Sequence, residues 1–241
     1  MALLEVSDIS VRFGGNLALD GVTVEAEAGR VTGLIGPNGA GKTTLFNVIT
    51  GLQPPSSGQV SLDGAVITRL SPTKRARRGL GRTFQRLELF NMLSVRENIR
   101  VAADIHRVYS RSKDDPAVVT DAIIERVGLG AVADARVDAL PTGQCRLVEL
   151  GRSLATRPRV LLLDEPASGQ DDTETAAFAV LLRELAGEGM AIVLVEHDVA
   201  LVMDVCARVH VLDFGRVIAS GSPAEVQRND AVLAAYLGTS S

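Results

Sequence analysis

Two short hydrophobic runs in the last third of the chain predict strands that are buried on both faces. They span residues 160–163 and 191–195 and contain no polar position, as expected for inner strands of a sheet that is covered on both sides. Between them, apolar residues recur at helical spacing, at Phe178, Leu181, Leu182 and Leu185. A strand–helix–strand order of this kind predicts a parallel sheet.

The rest of the chain follows two other patterns. Apolar residues at positions 22, 24, 26 and 28 alternate with polar ones, the period of a half-buried strand. Residues 60–66 hold an Asp-Gly turn between short apolar runs, which predicts a hairpin and hence an antiparallel sheet. From about residue 86 to 156 the pattern is mostly helical, with a polar loop at residues 110–116, and we interpret this region as a helical insert.

Residues 36–44 lie between a predicted strand at residues 30–35 and a predicted helix, whose apolar stripe is Leu45, Val48, Ile49 and Leu52. They carry the spacing Gly-x-x-x-x-Gly-Lys-Thr, the P-loop pattern. Glycines let the backbone wrap a phosphate chain, and the N–H groups and the helix N-terminus favour its charge. The Lys42 ammonium is expected to reach the β- and γ-phosphates and the Thr43 hydroxyl to bind Mg²⁺. The predicted phosphate-binding residues are Gly36, Pro37, Asn38, Gly39, Ala40, Gly41, Lys42, Thr43 and Thr44.

Two acidic residues, Asp164 and Glu165, directly follow the strand predicted at residues 160–163. Carboxylates at the end of a buried strand are costly to bury without a role. In a P-loop protein the first, Asp164, holds Mg²⁺, and Glu165 is placed to polarise an attacking water. The alternative is a plain exit from the strand with solvated acids, and the presence of the P-loop favours the catalytic interpretation.

Composition limits the class of protein only broadly. Hydrophobic residues make up 46% of the 241 residues, enough for a sizeable core, and the net charge of −4 argues against a general nucleic-acid binder. No apolar run is long enough for a membrane span, and the N-terminus lacks the pattern of a signal peptide. Two cysteines are too few for a disulfide framework. Together these features favour a cytosolic protein.

A second phosphate-binding segment is predicted at residues 140–144, which read Leu-Pro-Thr-Gly-Gln. These small, turn-forming residues precede a predicted helix with apolar positions at Leu147, Leu150 and Leu154, and a helix N-terminus favours anions.

The order of all these motifs resembles the nucleotide-binding domain of ABC ATPases: the P-loop, an isolated glutamine, residues 140–144, Asp-Glu-Pro at 164–166 and Glu-His-Asp at 196–198. Residues 140–144 lie where that family has its Leu-Ser-Gly-Gly-Gln signature. The resemblance implies an α/β fold with a P-loop NTPase (RecA-like) core, an N-terminal antiparallel β subdomain and a helical insert subdomain. We assign residues 1–85 and 157–241 to the core with its β subdomain, and residues 86–156 to the helical signature subdomain.

The resemblance also implies roles for single residues. Gln85 matches the glutamine that touches Mg²⁺ or water and faces the membrane subunit, and His197 matches the switch histidine that contacts the γ-phosphate. Asp171 matches the loop that crosses the dimer. Phe13 matches the aromatic residue that stacks on adenine, and it is equally compatible with a core position in a short strand. The signature residues expected to bind the partner subunit's nucleotide are Pro141, Thr142, Gly143 and Gln144.

The chain departs from the family pattern at two places. Pro141 and Thr142 replace the Ser and the first Gly of the signature. Proline has neither a hydroxyl nor an N–H, so phosphate binding there is expected to depend on Gly143, Thr142 and the helix N-terminus. Gln170 replaces a residue that is usually apolar. Either departure is compatible with slower hydrolysis, and neither removes a reacting group.

Within the family, the strongest resemblance is to ATPase subunits of branched-chain amino-acid importers. It rests on residues 81–86 and 89–98, on Pro141, and on the tail at 221–226 and 235–238. Lipopolysaccharide-transport ATPases share part of this pattern, including a basic stretch like residues 74–78. That stretch is compatible with an anionic lipid or a nucleic acid, but we interpret it as a solvated helix face. A soluble ABC ATPase of cofactor assembly is a further alternative.

The resemblance implies a transport ATPase that uses ATP and Mg²⁺. The expected partners are membrane permease subunits, a second ABC ATPase subunit, identical or different, and a solute-binding protein reached through the permease; no nucleic acid is expected. The expected location is cytoplasmic, peripheral on the cytoplasmic face of the cell membrane. Finally, Asp213-Phe214-Gly215 resembles a kinase motif, but no kinase catalytic-loop motif precedes it, and we interpret it as a hairpin turn.

Overall fold

The computed structural model describes residues 2–237. The strands are β1 (Ala2–Phe13), β2 (Asn16–Glu27), β3 (Val31–Ile35), β4 (Ser57–Leu62), β5 (Ala65–Val66), β6 (Leu80–Arg82), β7 (Val160–Asp164), β8 (Ala191–Val195), β9 (Arg208–Asp213) and β10 (Arg216–Gly221). The helices are α1 (Lys42–Thr50), α2 (Pro72–Ala76), α3 (Val95–Ser110), α4 (Pro116–Arg126), α5 (Thr142–Ala155), α6 (Asp172–Gly187), α7 (Val199–Val205), α8 (Pro223–Gln227) and α9 (Asp230–Leu237). Met1 of the N-terminal pattern, Gly238 of the C-terminal motif and the predicted domain end at 238–241 lie outside the described residues.

The strands form two sheets, and both predicted sheet types are confirmed. β2, β1, β4 and β5 form an antiparallel sheet in that order, with the predicted hairpin turn at Asp63-Gly64. The other sheet has the order β10-β9-β3-β8-β7-β6. Its strands β3, β6, β7, β8 and β9 are parallel, and β10 returns antiparallel to β9. Phe214 and Gly215 form the turn between β9 and β10, so Asp213-Phe214-Gly215 is the predicted hairpin turn.

Strands β7 and β8 are buried along their whole length, as their hydrophobic runs predict. Because successive side chains of a strand point to opposite faces, alternate residues join different hydrophobic clusters. Leu161 and Leu163 pack in the cluster that includes α3 to α6, whereas Val160 and Leu162 pack in the cluster of α1 and the antiparallel sheet. Strand β7 is therefore covered on both faces and carries the buried Asp164 at its carboxyl end.

Helix α1 begins directly after the phosphate loop and buries most of its predicted stripe. Leu45, Val48 and Ile49 are buried, and Gly51 ends the helix in the left-handed conformation, with φ of 82°. The prediction that Leu52 is the fourth residue of this buried stripe is wrong. It follows the turn at Gly51, which redirects the chain, and its side chain is exposed.

The interpretation of residues 74–78 as a solvated helix face is wrong for Arg75, which helix α2 buries to 1% exposure. Val48 and Ile49 belong to the last turn of α1, whose carbonyls have no partner within the helix. The Arg75 guanidinium donates to the carbonyl oxygens of Val48 (2.6 Å), Ile49 (2.7 Å), Thr68 (2.6 Å) and Leu70 (3.0 Å). Arg75 therefore caps the C-terminal end of α1.

The region between residues 86 and 156 is mostly helical, as predicted. A capping box of Ser94 and Glu97 begins α3, and Asp115 caps α4. Helices α3 and α4 pack on α5, and Gly151 allows a close approach, since a Cβ there would lie 2.9 Å from Ile99 Cδ1. The division of the chain into residues 1–85 with 157–241 and residues 86–156 stays a prediction.

Two further sequence expectations concern cysteines and membrane spans. Cys145 and Cys206 are both free and buried, which agrees with the absence of a predicted disulfide framework. Between residues 2 and 237 the helices all fall short of the length and hydropathy that a membrane crossing needs.

Candidate nucleotide site

The phosphate loop, the ends of β7 and β8 and the segment after β6 enclose a cavity of about 270 Å³. The structure brings together most of the predicted site here, because the carboxyl ends of parallel strands share one edge of the sheet. The residues that line this cavity are Asn38, Gly39, Ala40, Gly41, Lys42, Thr43, Thr44, Gln85, Asp164, Glu165, Val195 and His197.

Two glycines of the loop are required by close packing. A Cβ at Gly36 would lie 1.9 Å from the carbonyl oxygen of Leu212 in β9. A Cβ at Gly41 would lie 2.8 Å from the Leu19 side chain in β2, and φ of 110° at Gly41 is one that other residues rarely adopt. The loop is therefore packed between β9 and β2, and this packing fixes where the N-terminus of α1 points.

Lys42, the first residue of α1, folds its ammonium group back over the loop. Its Nζ donates to the carbonyl oxygens of Gly36 at 2.7 Å and Pro37 at 3.0 Å. Burial lowers the pKa of Lys42, and the nearby charges of Glu165 and Asp164 oppose that shift. A cation held at this position fits an anionic ligand such as a phosphate chain.

Asp164 is buried at the end of β7 beside an arginine. Arg82 Nη2 lies 3.4 Å from Asp164 Oδ2, and Arg82 Nη1 donates to Asn47 Oδ1 in α1 at 2.7 Å. Burial raises the pKa of Asp164, and the charge and hydrogen bond of Arg82 oppose that shift. Arg82 was not predicted as a site residue, because no local sequence signal predicts the short strand β6 or its position beside Asp164.

The side chains of Gln85, Glu165 and His197 meet in one place. Glu165 Oε1 accepts a hydrogen bond from Gln85 Nε2 at 3.2 Å and lies 2.9 Å from His197 Nε2. These residues follow β6, β7 and β8 respectively. Glu165 has a φ of 50°, a left-handed conformation that is rare for a residue with this side chain.

Glu196 is a buried carboxylate to which the sequence analysis assigned no separate role. It accepts hydrogen bonds from the backbone N–H groups of Ala167 at 2.8 Å and His197 at 3.1 Å. Burial raises the pKa of Glu196, and these backbone hydrogen bonds oppose the shift. Glu196 thereby links the segment after β7, which contains Glu165, to the segment after β8, which contains His197.

The segment at residues 140–144 lies outside the cavity. Pro141 occupies the N-cap position of α5, and Thr142, Gly143 and Gln144 form the first turn of this helix. A Cβ at Gly143 would lie 3.1 Å from the carbonyl oxygen of Gly169. The first turn of α5 thus packs on the loop before Asp171 in the same chain.

Asp171 and Phe13 also lie outside the cavity. Asp171 is the N-cap of α6, where its carboxylate accepts from the Glu174 N–H at 2.8 Å and the Glu174 carboxylate accepts from the Asp171 N–H at 3.0 Å. Phe13 ends β1 and is 49% exposed. It therefore does not occupy the core position that was its alternative interpretation.

The donor atoms of the cavity suit a hard cation bound together with phosphate. Thr43 and Asp164 offer a hydroxyl and a carboxylate oxygen, and Mg²⁺ prefers a few such ligands together with substrate phosphates over a full protein cage. Residues 2–237 contain no group of three or more His, Cys, Asp or Glu side chains that could hold a metal ion by themselves.

Comparisons with known families agree with this geometry. Residues 19–168 match the family model described as ABC transporter. Residues 216–240 match the model described as branched-chain amino acid ATP-binding cassette transporter.

Relatives and solved structures match over nearly the whole length. The high-affinity branched-chain amino acid transport ATP-binding protein BraF of Pseudomonas aeruginosa is 39% identical, with 98% of each chain covered. The lipopolysaccharide export system ATP-binding protein LptB of Haemophilus influenzae is 31% identical, with 99% of this chain and 98% of LptB covered. The ADP conformation of an ATP-binding cassette of an ABC transporter superposes with a TM-score of 0.87 and 30% identity, with 99% of each chain covered. The chain therefore belongs to the ABC transporter family, as an ATP-binding cassette that hydrolyses ATP to drive transport.

Proposed function

We propose that this chain is the ATPase subunit of an importer of branched-chain amino acids. The observation that carries the proposal is the identity of 39% to BraF over 98% of both chains. The separate match of residues 216–240 to a branched-chain amino-acid cassette model supports it. This C-terminal match covers β10, α8 and α9, which do not line the nucleotide cavity.

In this proposal the phosphate loop holds the nucleotide and Glu165 acts as general base. Lys42 and the loop N–H groups bind the phosphate chain, because both present positive charge to the cavity. Thr43 and Asp164 hold Mg²⁺, which would supply positive charge at the phosphates. Gln85 and His197 orient Glu165 at its Oε1 atom, and the Glu165 carboxylate takes a proton from the attacking water.

The active unit in this proposal contains two ATPase chains. The cavity of one chain is lined by the P-loop but not by Pro141, Thr142, Gly143 or Gln144. A helix N-terminus that is rich in small residues favours phosphate, so the first turn of α5 is available to the nucleotide of a second chain. The second chain is an identical copy or a related subunit, and head-to-tail pairing would place each nucleotide between two chains.

The proposed membrane partner is a permease that binds near Gln85. Downstream of Gln85, the side chains of Phe90 and Met92 are 45% and 73% exposed, and exposed apolar residues of this size favour a protein interface. A solute-binding protein would reach the complex through the permease. We therefore propose that the chain is cytoplasmic and peripheral on the cytoplasmic face of the membrane.

The first test is steady-state ATP hydrolysis by Glu165→Gln beside the wild type and a Glu184→Gln control. Glu184 lies on the exposed face of α6, so its variant loses the same charge away from the cavity. We expect Glu165→Gln to bind nucleotide normally and to lose about 100-fold or more of kcat, while Glu184→Gln keeps it. Undiminished turnover in Glu165→Gln would overturn the assignment of the base. Turnover that rises more than linearly with protein concentration supports the two-chain unit.

Export of a lipid is the second candidate, because LptB is 31% identical over 98% of its length. The two candidates differ in the permease that the chain activates. Reconstitution with a branched-chain amino-acid permease and labelled leucine should give ATP-dependent uptake under the first proposal. Absence of uptake, with stimulation by a lipopolysaccharide permease instead, would favour the second.

A further inference from the structure

Helix α5 presents a buried ion pair to the segment that carries Gln85. Arg146 and Glu149 are only 8% and 5% exposed, and Arg146 Nη1 lies 3.3 Å from Glu149 Oε2. Their spacing of three residues places both on the same face of the helix. The mechanism proposed above assigns them no role.

Both members of the pair bind the backbone of residues 84 and 85. Arg146 donates to the carbonyl oxygen of Phe84 at 2.6 Å and to that of Gln85 at 2.5 Å. Glu149 Oε1 accepts from the Phe84 N–H at 3.2 Å. The peptide groups on both sides of Gln85 Cα are thus tied to one helix face through charge-assisted hydrogen bonds, which are stronger than neutral ones.

The same helix face also holds the segment three residues further on. The Glu149 carboxylate accepts a hydrogen bond from the backbone of Glu88. Arg152, one turn along α5, donates to the Glu88 carbonyl oxygen. Residues 84–88 are therefore attached to α5 near both ends, and the Gln85 side chain remains available to meet Glu165.

The free-energy cost of burying these two charges is large compared with the stability that the contacts add to the fold. Burying two charges costs several kcal/mol per ion, and apolar residues of similar volume often serve stability equally well. Apolar side chains, however, cannot bind peptide groups. What this ion pair does, and apolar residues could not, is to fix the position of the backbone at residues 84, 85 and 88.

We propose that Arg146 and Glu149 are positioning residues, which hold the backbone of Phe84 and Gln85 so that the Gln85 side chain meets Glu165. The inference rests on the proposed role of Gln85 and Glu165. It adds a physical link within one chain, because α5 begins with the residues proposed to bind the partner's nucleotide and continues into the residues that hold Gln85. A displacement of α5 would then move Gln85 with it.

The test compares the double variant Arg146→Met/Glu149→Met with a control, Arg100→Gln/Asp104→Asn. The double variant removes both charges of the pair together, so neither is left buried without the other, and Arg152 keeps Glu88 as an opposite charge. The control removes an exposed ion pair of α3 with Arg100 Nε 3.1 Å from Asp104 Oδ2. Thermal unfolding, nucleotide affinity and kcat are measured for each. Hydrogen–deuterium exchange at the Phe84 and Glu88 amides is measured without nucleotide, in an assay that needs no turnover.

We expect the double variant to fold and bind nucleotide like the wild type, with kcat lowered by about 10-fold or more and amide exchange at residues 84 and 88 raised by a similar factor. The control should change neither quantity. Released amides with wild-type kcat, or unchanged exchange, would refute the positioning role. If the double variant does not fold, Glu149→Gln keeps the side-chain shape but leaves one acceptor oxygen for the donors from Phe84, Glu88 and Arg146. It should still lower kcat with unchanged nucleotide affinity, and wild-type kcat in a folded Glu149→Gln protein would refute the positioning role. Failure of the proposed function is recognised separately, by turnover in Glu165→Gln.

Discussion

The Nε2 atom of His197 lies 2.9 Å from Oε1 of Glu165, although the two residues follow different strands. Strands β7 and β8 are in parallel register, with Asp164 opposite Val195. Glu165 directly follows β7 and His197 is the second residue after β8, so both lie at the same edge of the sheet. The Glu165 oxygen that faces His197 is also the one that accepts from Gln85, so the carboxylate is held from two sides.

Replacement of His197 by alanine should lower kcat by about 100-fold, because one of the groups that orients Glu165 and faces the cavity is lost. Nucleotide affinity should change little, since Lys42 and the phosphate loop are untouched. Steady-state kinetics and nucleotide titration separate the two quantities. His106→Ala, on α3 and away from the cavity, is the matched control. Equal kcat in both variants would contradict the role given to His197.

Replacement of Arg75 by alanine should lower the free energy of unfolding by about 3 kcal/mol. The variant leaves four backbone carbonyls without their buried donor, two of them in the last turn of α1. Arg78→Ala removes an exposed arginine from the same stretch and should change stability by less than about 0.5 kcal/mol. Urea unfolding followed by circular dichroism measures both, and comparable losses would show that burial of Arg75 is unimportant.

Acidification should destabilise the protein partly through His210. Burial lowers the pKa of this histidine below its ordinary value of 6.5, and a ring nitrogen lies 2.9 Å from Ser220 Oγ. As pH falls below 6.5, the unfolded chain takes up a proton that the folded chain does not, so stability is lost until the folded pKa is reached. His210→Gln should show a shallower loss of unfolding free energy over this range. Parallel curves for variant and wild type would exclude His210 as a contributor.

Neither cysteine should react with thiol reagents in the folded protein near pH 8. Burial raises the pKa of Cys206 to about 12 and also raises the pKa of Cys145, so the reactive thiolate is scarce and inaccessible. Both should react after unfolding in urea. Lys113→Cys, which places a thiol at an exposed site, provides the positive control. Rapid modification of native wild type would show that the environment of one cysteine opens readily.

Most residues that line the cavity could be chosen from the sequence, because they follow strands whose patterns are local. The spacing in residues 36–44 and the acids after residue 163 depend on no distant contact, and the hydrophobic runs that precede them predict the parallel sheet. The prediction of Gln85 and His197 depended on the order of motifs along the chain, since neither residue is informative alone. Their meeting at Glu165 follows from strand order, which the local pattern does not contain.

The residues whose roles were missed or predicted wrongly mostly owe those roles to contacts between distant segments. Arg75 belongs to a basic stretch, and only the fold brings it to the end of α1. The spacing of Arg146 and Glu149 fits any polar helix face, and their function depends on which segment packs against them. The error at Leu52 has a local cause. Gly51 is a signal for the end of a helix, but the prediction followed the apolar periodicity past it.

The left-handed backbone at Glu165 makes stability and turnover competing properties at one position. A residue with a large side chain at φ of 50° costs roughly 1 kcal/mol relative to glycine, and asparagine tolerates the conformation better. Either replacement should therefore fold more stably than the natural chain while lacking the carboxylate. Under the proposed role of Glu165, a search for heat-resistant variants that scores folding alone will select against glutamate here, and it will enrich proteins that bind ATP and leave it intact.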